Sequence, residues 1–160
     1  AIIAAQKREK LLETLPEELV DTAADFYQYL SVVPEAKIAV ETGVSAMHDV
    51  TEGGIFGALW EIGAAADLGI SADLTKIPIR QETIEVCEVF GINPYQMMSS
   101  GSMLIGCAKG NLLVDRLKEA GIPAAVIGRA TDSNDRVITN GEETRFLEPA
   151  GSDELYKIYE

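Results

Sequence analysis

One stretch of the chain combines the residue types that bind a magnesium-phosphate ligand. The sequence Met47-His48-Asp49-Val50-Thr51-Glu52-Gly53-Gly54 leads into a helical run that begins near Ile55. Glycine lets the backbone approach a ligand closely, and the first N–H groups of a helix attract anions because they lack partners within the helix. Asp49, Thr51 and Glu52 add side-chain oxygens, the ligands that Mg²⁺ prefers. The stretch therefore predicts an anion site, with an ordinary helix cap as the alternative.

A second loop of small residues lies later in the chain. Ser99-Ser100-Gly101-Ser102 stands directly before the apolar run 103–108, which has the composition of a core strand. From spacing alone, this loop is either part of a site or a tight turn.

Two elements would position the first stretch. Val44, Ala46 and His48 alternate with Ser45 and Met47 and predict a strand over 44–48. The helix predicted over 55–66 is apolar on most sides, which indicates that it is buried and can hold its N-terminus rigidly. Gly57 and Gly63 within it predict close packing against a neighbour.

The remaining pattern predicts an α+β fold, or α/β with a mixed sheet of about five or six strands. The Asn140-Gly141 pair predicts a hairpin, and an antiparallel hairpin argues against a simple doubly wound sheet. Other helices are predicted over 3–14, 34–42 and 81–90, and from Pro16 onward with Leu19, Ala23, Phe26 and Leu30 inward. Two more are predicted over 111–120, with Leu112, Leu113 and Leu117 inward, and over 153–159, with Ser152 as its cap. A short helical turn is predicted over 93–98. Other strands are predicted over 70–73, 103–108, 124–127, 136–139 and 142–147.

Composition narrows the class of protein. The 160 residues are 47% hydrophobic and 24% charged, typical of a globular domain, and carry a formal net charge of −13. Such acidity argues against nucleic acid or an anionic membrane as partner. No apolar run is long enough for a membrane span, so we expect a cytoplasmic protein. Cys87 and Cys107 lack metal-ligand spacing and are expected to serve in packing.

Five segments together resemble the C-terminal domain of the aminoimidazole ribonucleotide (AIR) synthetase superfamily. They occur in family order and are Asp49-Val50-Thr51-Glu52-Gly53-Gly54, Leu59-x-Glu61-Ile62, Ile77-Pro78-Ile79, Ser99-Ser100-Gly101-Ser102-Met103-Leu104-Ile105 and Ala125-Val126-Ile127-Gly128. This superfamily includes AIR synthetase (PurM), formylglycinamidine ribonucleotide synthetase, selenophosphate synthetase, thiamine-monophosphate kinase (ThiL) and the hydrogenase maturation factor HypE. The resemblance is nearest to HypE-like or AIR synthase-related proteins, although Val50 and Glu52 stand where HypE proteins have Pro and Arg.

The resemblance implies an ATP- and Mg²⁺-dependent enzyme whose N-terminal domain holds the nucleotide and whose C-terminal domain helps to close the cleft. It further implies that residues 1–14 form a linker helix from that N-terminal domain, that 15–160 form the C-terminal domain, and that the isolated chain is inactive. The implied nucleotide-binding residues in this sequence are Asp49, Thr51, Gly53, Gly54, Ser99, Ser100 and Gly101. Implied partners are the N-terminal domain, a second copy in a homodimer, and a small-molecule or protein acceptor.

A different class of function is a non-catalytic binding or assembly module that retains the fold. The acidic Glu52 within the predicted phosphate loop favours this alternative, because it replaces a residue that would donate hydrogen bonds to phosphate. The discriminating observation is whether an Asp-rich ATP domain is encoded directly before Ala1.

Overall fold

The computed structural model describes residues 1–159 and contains seven α-helices and six β-strands in two sheets. The helices are α1 (Ile2–Gln6), α2 (Arg8–Leu12), α3 (Glu17–Ala24), α4 (Val33–Thr42), α5 (Gly54–Ala66), α6 (Gln81–Phe90) and α7 (Gly110–Glu119). The strands are β1 (Ala46–Asp49), β2 (Gly69–Asp73), β3 (Met103–Gly106), β4 (Gly128–Thr131), β5 (Arg136–Asn140) and β6 (Glu143–Phe146). Short 3-10 helices cover Asp25–Tyr29, Leu74–Lys76 and Glu154–Ile158.

Strand pairing confirms the predicted mixed fold and divides it into a small and a large sheet. β1 and β3 form an antiparallel pair, and the larger sheet has the order β4-β2-β5-β6. In the larger sheet β2 pairs parallel to β5 and antiparallel to β4, and β5 and β6 form the predicted hairpin. The residue pair Asn140↔Glu143 closes that hairpin, so Gly141, at φ 62°, and Glu142 form its tip.

The hydrophobic core consists of three clusters. One lies between α1, α2, α3 and α6 and includes Leu11, Val20 and Cys87. The second joins α5 to the larger sheet through Leu59 and Ile138, and the third joins α4 to α7. Helix α5 thus lies between the two sheets' strands, with contacts to β1, β2, β3 and β5. This placement holds its N-terminus rigidly at the site described below.

The N-terminal residues are part of this core. The predicted single helix over 3–14 is wrong in detail, because the backbone departs from helical geometry at Lys7, where φ is −115°, and the second segment ends at Leu12. Ile3, Ala4 and Leu11 are buried in the first cluster. Residues 1–12 therefore fold with the rest of the chain, whatever precedes them.

Two predicted helix faces differ from the structure. After Ala24 the chain tightens into a 3-10 helix, which shifts the periodicity, so Val20 and Ala23 are buried whereas Leu30 is 48% exposed. Leu112 is also exposed, and α7 buries only Leu113 and Leu117 of the three predicted leucines.

Some predicted elements lie elsewhere. The short helical turn predicted over 93–98 is a single turn over 93–96, in which the Gln96 amide donates to the Asn93 carbonyl and the Asn93 side chain accepts from the Tyr95 amide. The strand predicted over 124–127 is found four residues later, as β4, whose pairing with β2 begins at Gly128. The strand predicted over 44–48 begins at Ala46. The closing helix is 3-10, and its cap is Asp153 rather than Ser152.

The two glycines predicted to allow close packing in α5 do so. A Cβ on Gly57 would lie 3.2 Å from the Cβ of Ala150, and one on Gly63 would lie 2.8 Å from the Nε of Arg136. None of the helices in residues 1–159 combines the length and apolarity that a membrane span requires.

Candidate functional site

The segment Asp49–Gly54, called the glycine loop from here on, connects β1 to α5. Gly53 and Gly54 adopt φ values of 78° and 60°, a conformation that other residues rarely adopt. Val50 is buried beneath the loop, whereas Asp49, Thr51 and Glu52 are exposed. The loop therefore directs two carboxylates and one hydroxyl toward solvent from a rigid base.

The segment Ser99–Ser102, called the serine loop, lies beside the glycine loop. The antiparallel register aligns Asp49, at the end of β1, with Met103, at the start of β3. The Val50 amide then donates to the Ser102 carbonyl at 2.9 Å. The structure thus brings together two loops that are about fifty residues apart in the sequence.

Within the serine loop, the three predicted site residues have different surroundings. Ser99 is partly buried and donates through Oγ to the Met97 carbonyl at 3.1 Å. Ser100 is exposed. Gly101 has φ 97°, and a Cβ there would lie 2.3 Å from the carbonyl oxygen of Tyr29. Packing against the first 3-10 helix is therefore sufficient to require glycine at 101.

Three backbone donors at the start of α5 are engaged within the protein. The Gly53 amide donates to Oδ2 of Asp153 at 2.7 Å, and the Gly54 amide donates to the Thr51 carbonyl. The Phe56 amide donates to the Tyr95 carbonyl at 3.1 Å. In this conformation the predicted anion position at Gly53 is filled by a carboxylate of the same chain.

Close packing also explains the two glycines of the loop. A Cβ on Gly53 would lie 2.6 Å from the Cβ of Ala150. A Cβ on Gly54 would lie 2.6 Å from the carbonyl oxygens of both Tyr95 and Met97. Close packing alone therefore requires glycine at both positions.

The sequence prediction missed the segment Ala150–Tyr156, called the C-terminal cover, which packs on the glycine loop. Ala150 packs on Gly53, Asp153 accepts the Gly53 amide, and the Tyr156 hydroxyl donates to the Glu52 carboxylate. The one sequence signal for it is Asp153, a favoured cap residue directly before the closing helix.

Two further carboxylates stabilise the surroundings of the loop. Glu154 is 8% exposed and accepts from Lys157 and from the Asn93 amide. Glu61 on α5 lies 2.9 Å from Nε2 of His48, whose Nδ1 lies 2.6 Å from the Asp49 carbonyl oxygen. His48 thus links β1 to α5, and both of its ring nitrogens are engaged.

Neither cysteine has, among the described residues, the surroundings of a reactive thiol. Cys87 is buried, and burial raises the pKa of its thiol to about 11. The Cys107 sulfur lies 3.3 Å from the Gly43 carbonyl oxygen. Within residues 1–159, no three His, Cys, Asp or Glu side chains converge to hold a metal ion.

Together, the two sheets, the flanking helices and the adjoining loops define an AIR synthase-type α/β domain. The chain belongs to the family described as AIR synthase related protein, C-terminal domain, whose model matches residues 1–140. A curated relative is the carbamoyl dehydratase HypE of Rhodobacter capsulatus, which is 33% identical over 97 residues. That alignment covers 58% of this chain and 28% of the relative.

Solved structures of HypE share the fold. E. coli HypE aligns with a TM-score of 0.69 at 22% identity, over 79% of this chain and 41% of that chain. A HypE structure solved in complex with ATP aligns with a TM-score of 0.62 at 21% identity, over 70% of this chain and 38% of that one. The chain therefore spans less than half the length of these relatives.

Proposed function

We propose that this chain is the C-terminal domain of an ATP-dependent, HypE-like AIR synthase-related enzyme and that it closes one wall of a nucleotide- and phosphate-binding cleft. The observation that carries this proposal is the junction of the two loops through Val50 and Ser102. It joins the two segments that carry Asp49, Thr51 and Ser100 at one end of the β1–β3 ladder, and all three residues are exposed.

The chemistry of this surface suits a magnesium-bound phosphate. A bound Mg²⁺ ion would neutralise phosphate charge, and the Asp49 carboxylate with the Thr51 hydroxyl are oxygen groups that would hold it. The Gly53 amide suits an anion, because it already accommodates the carboxylate of Asp153. Glu52 would repel a phosphate, but its hydrogen bond with Tyr156 directs the carboxylate toward the C-terminal cover.

Further parts of the enzyme follow from its relatives. We propose that ATP is held mainly by an N-terminal domain, that α1 and α2 connect to it, and that the whole protein is a cytoplasmic homodimer. Its acceptor is a small molecule or a protein. A HypE-HypF complex has been solved among the structural relatives, which supports a protein acceptor or donor.

Calorimetric titration of the whole gene product with MgATP tests this function. We expect Asp49→Ala to weaken binding by about tenfold, the scale of a lost charged contact. Asp132→Ala, at an exposed residue beyond the end of β4, is the control and should bind as the unchanged protein does. Equal binding by the Asp49 and Asp132 variants would remove the site assignment.

An assembly module is the second candidate, and the outer face of α4 favours it. Val33 and Val40 are 56% and 62% exposed and line a hollow of about 360 Å³ together with Ala36. Exposed apolar surface of this kind tends to bind a partner. Sedimentation at rising concentration should show self-association that Val40→Glu abolishes. A monomer at all concentrations would count against this candidate.

A further inference from the structure

We infer that the C-terminal cover is a displaceable internal inhibitor, which holds the Asp153 carboxylate in the position that a ligand phosphate takes. This inference rests on the proposed function, because it assumes that the glycine loop binds an anion. It adds a regulatory contact to that site.

The first step concerns which donor a ligand can gain. The amides of Gly54, Phe56 and Gly57 all donate to backbone carbonyls, so a ligand gains them only if the backbone moves. The Gly53 amide alone in this group donates to a side chain, the carboxylate of Asp153. Rotation of one side chain therefore exposes a donor without unfolding the helix.

The second step concerns charge. Gly53 precedes the 13-residue helix α5, whose N-terminus carries partial positive charge. A carboxylate and a phosphate compete for such a position, and both cannot occupy one amide. The cover is strongly acidic beside the loop, since Asp153 and Glu154 are both buried there. Ligand binding and the closed cover therefore exclude each other.

The third step concerns how the cover is anchored. Leu147, before the cover, and Leu155, near its end, are buried in two different core clusters. Between these anchors, residues 148–152 are exposed and have no helix or strand. The anchors keep the cover near the loop, while the exposed stretch gives it freedom to move.

The fourth step concerns the family. The family model matches residues 1–140 and ends before the cover begins. The glycine loop thus belongs to the matched domain, whereas the segment that covers it lies outside the match.

A reversible crosslink tests the inference directly. The ideal Cβ position at Gly57 lies 3.2 Å from the Cβ of Ala150. Disulfides have Cβ–Cβ separations of about 3.5–4.5 Å, so a shift of a few tenths of an ångström allows the bond. Gly57→Cys with Ala150→Cys, in a Cys107→Ser background, would fasten the cover when oxidised and release it when reduced. Inorganic phosphate and MgATP are the probes, titrated while the amide resonances of Gly53 and Gly54 are followed.

We expect the oxidised protein to bind both probes at least about tenfold more weakly than the reduced protein. Asp153→Asn, which retains the side-chain size and removes the charge, should bind about tenfold more tightly than the unchanged chain. Asp132→Asn is the charge-matched control and should leave binding unchanged. In the unchanged chain, saturating phosphate should speed hydrogen exchange of residues 148–156.

The opposite results are separable. Equal binding by the oxidised, reduced and Asp153→Asn proteins would show that the cover does not inhibit binding, and would leave the anion site supported. Absence of binding in every form, including Asp153→Asn, would overturn the anion site itself and with it this inference.

Discussion

The amide of Gly53 and the carboxylate of Asp153, separated by 100 residues, form a buried hydrogen bond of 2.7 Å. The same carboxylate accepts from the Leu155 amide at 2.8 Å through its other oxygen. One side chain thus caps the closing 3-10 helix and also satisfies the amide that precedes α5. This double role makes the C-terminal cover part of the candidate site.

The packing of the cover on the glycine loop predicts an unequal effect of two alanine substitutions. Gly53 and Gly121 have nearly equal φ values of 78° and 77°, but only at Gly53 would a Cβ collide, 2.6 Å from the Cβ of Ala150. Gly121→Ala should cost about 1 kcal/mol of unfolding free energy from backbone strain. Gly53→Ala should cost about 1–3 kcal/mol more than Gly121→Ala, because the added Cβ overpacks the contact with Ala150. Urea denaturation measures both, and equal losses would mean that the cover does not pack there in solution.

The burial of the N-terminal helices predicts a second unequal pair. Leu11 is fully buried in the first core cluster, whereas its neighbour Leu12 is 39% exposed. Leu11→Ala should lower the free energy of unfolding by about 2–5 kcal/mol. Leu12→Ala should change it by about 0.5 kcal/mol or less. Similar effects of both changes would show that residues 1–12 are only a connection and not part of the core.

The Tyr156–Glu52 hydrogen bond predicts a pH dependence. Hydrogen bonding of the phenol to the Glu52 carboxylate raises the pKa of Tyr156. Because the folded-state pKa exceeds the unfolded value of about 10, the contribution to stability is complete below that pH and is lost as pH rises through the folded pKa. Thermal melts should therefore separate the unchanged protein from Tyr156→Phe at neutral pH and converge in alkali.

The matched control for this pH dependence is Tyr27→Phe, at an exposed ring in the first 3-10 helix. Glu52→Gln should bring the absorbance titration of Tyr156 back toward that of an ordinary tyrosine. A Tyr156 titration that does not respond to Glu52→Gln would contradict this contact.

The burial of Cys87 predicts selective thiol chemistry. With a pKa of about 11, Cys87 is almost entirely protonated near neutral pH, and it is only 1% exposed. Iodoacetamide at about pH 8 should therefore modify the partly exposed Cys107 and spare Cys87. Peptide mass mapping reads out both sites, with urea-unfolded protein as the control in which both react. Equal modification of both cysteines in the folded chain would contradict the burial.

Elements with local signals were predicted well from the sequence. Helix α6 runs from Gln81 to Phe90 as predicted, because the left-handed Gly91 ends it. The hairpin at Gly141 and the helix after the Gly-Gly pair carry similarly local signals. In each case the residues that determine the boundary are neighbours in the chain.

Elements whose position depends on distant partners were predicted less well. Residues 124–127 are apolar enough for a strand, but β4 begins at Gly128 because its register is set by β2. A Cβ on Gly128 would lie 2.2 Å from the Ser71 carbonyl oxygen, so glycine permits this close pairing. Composition alone does not encode such a register.

The candidate site was likewise predicted where its signals are local or shared with a family, and missed where it depends on a distant partner. The meeting of the two loops was implied by family resemblance, and the β1–β3 ladder supplies its physical basis. Asp153 was missed because an acidic residue near the end of a chain is usually solvated, whereas here it is 2% exposed. Its carboxylate is satisfied by two amide donors, those of Leu155 and Gly53, and no local pattern reveals the distant donor at Gly53.

The central claim is that the glycine and serine loops form one ligand-binding wall. Its most direct test is amide chemical-shift mapping of this chain, within the whole gene product, during titration with MgATP. We expect the largest changes at Thr51, Gly53 and Gly54 together with Ser100 and Gly101, and little change in the β5–β6 hairpin. Saturable changes confined to surfaces away from both loops, or none at millimolar MgATP, would contradict the claim.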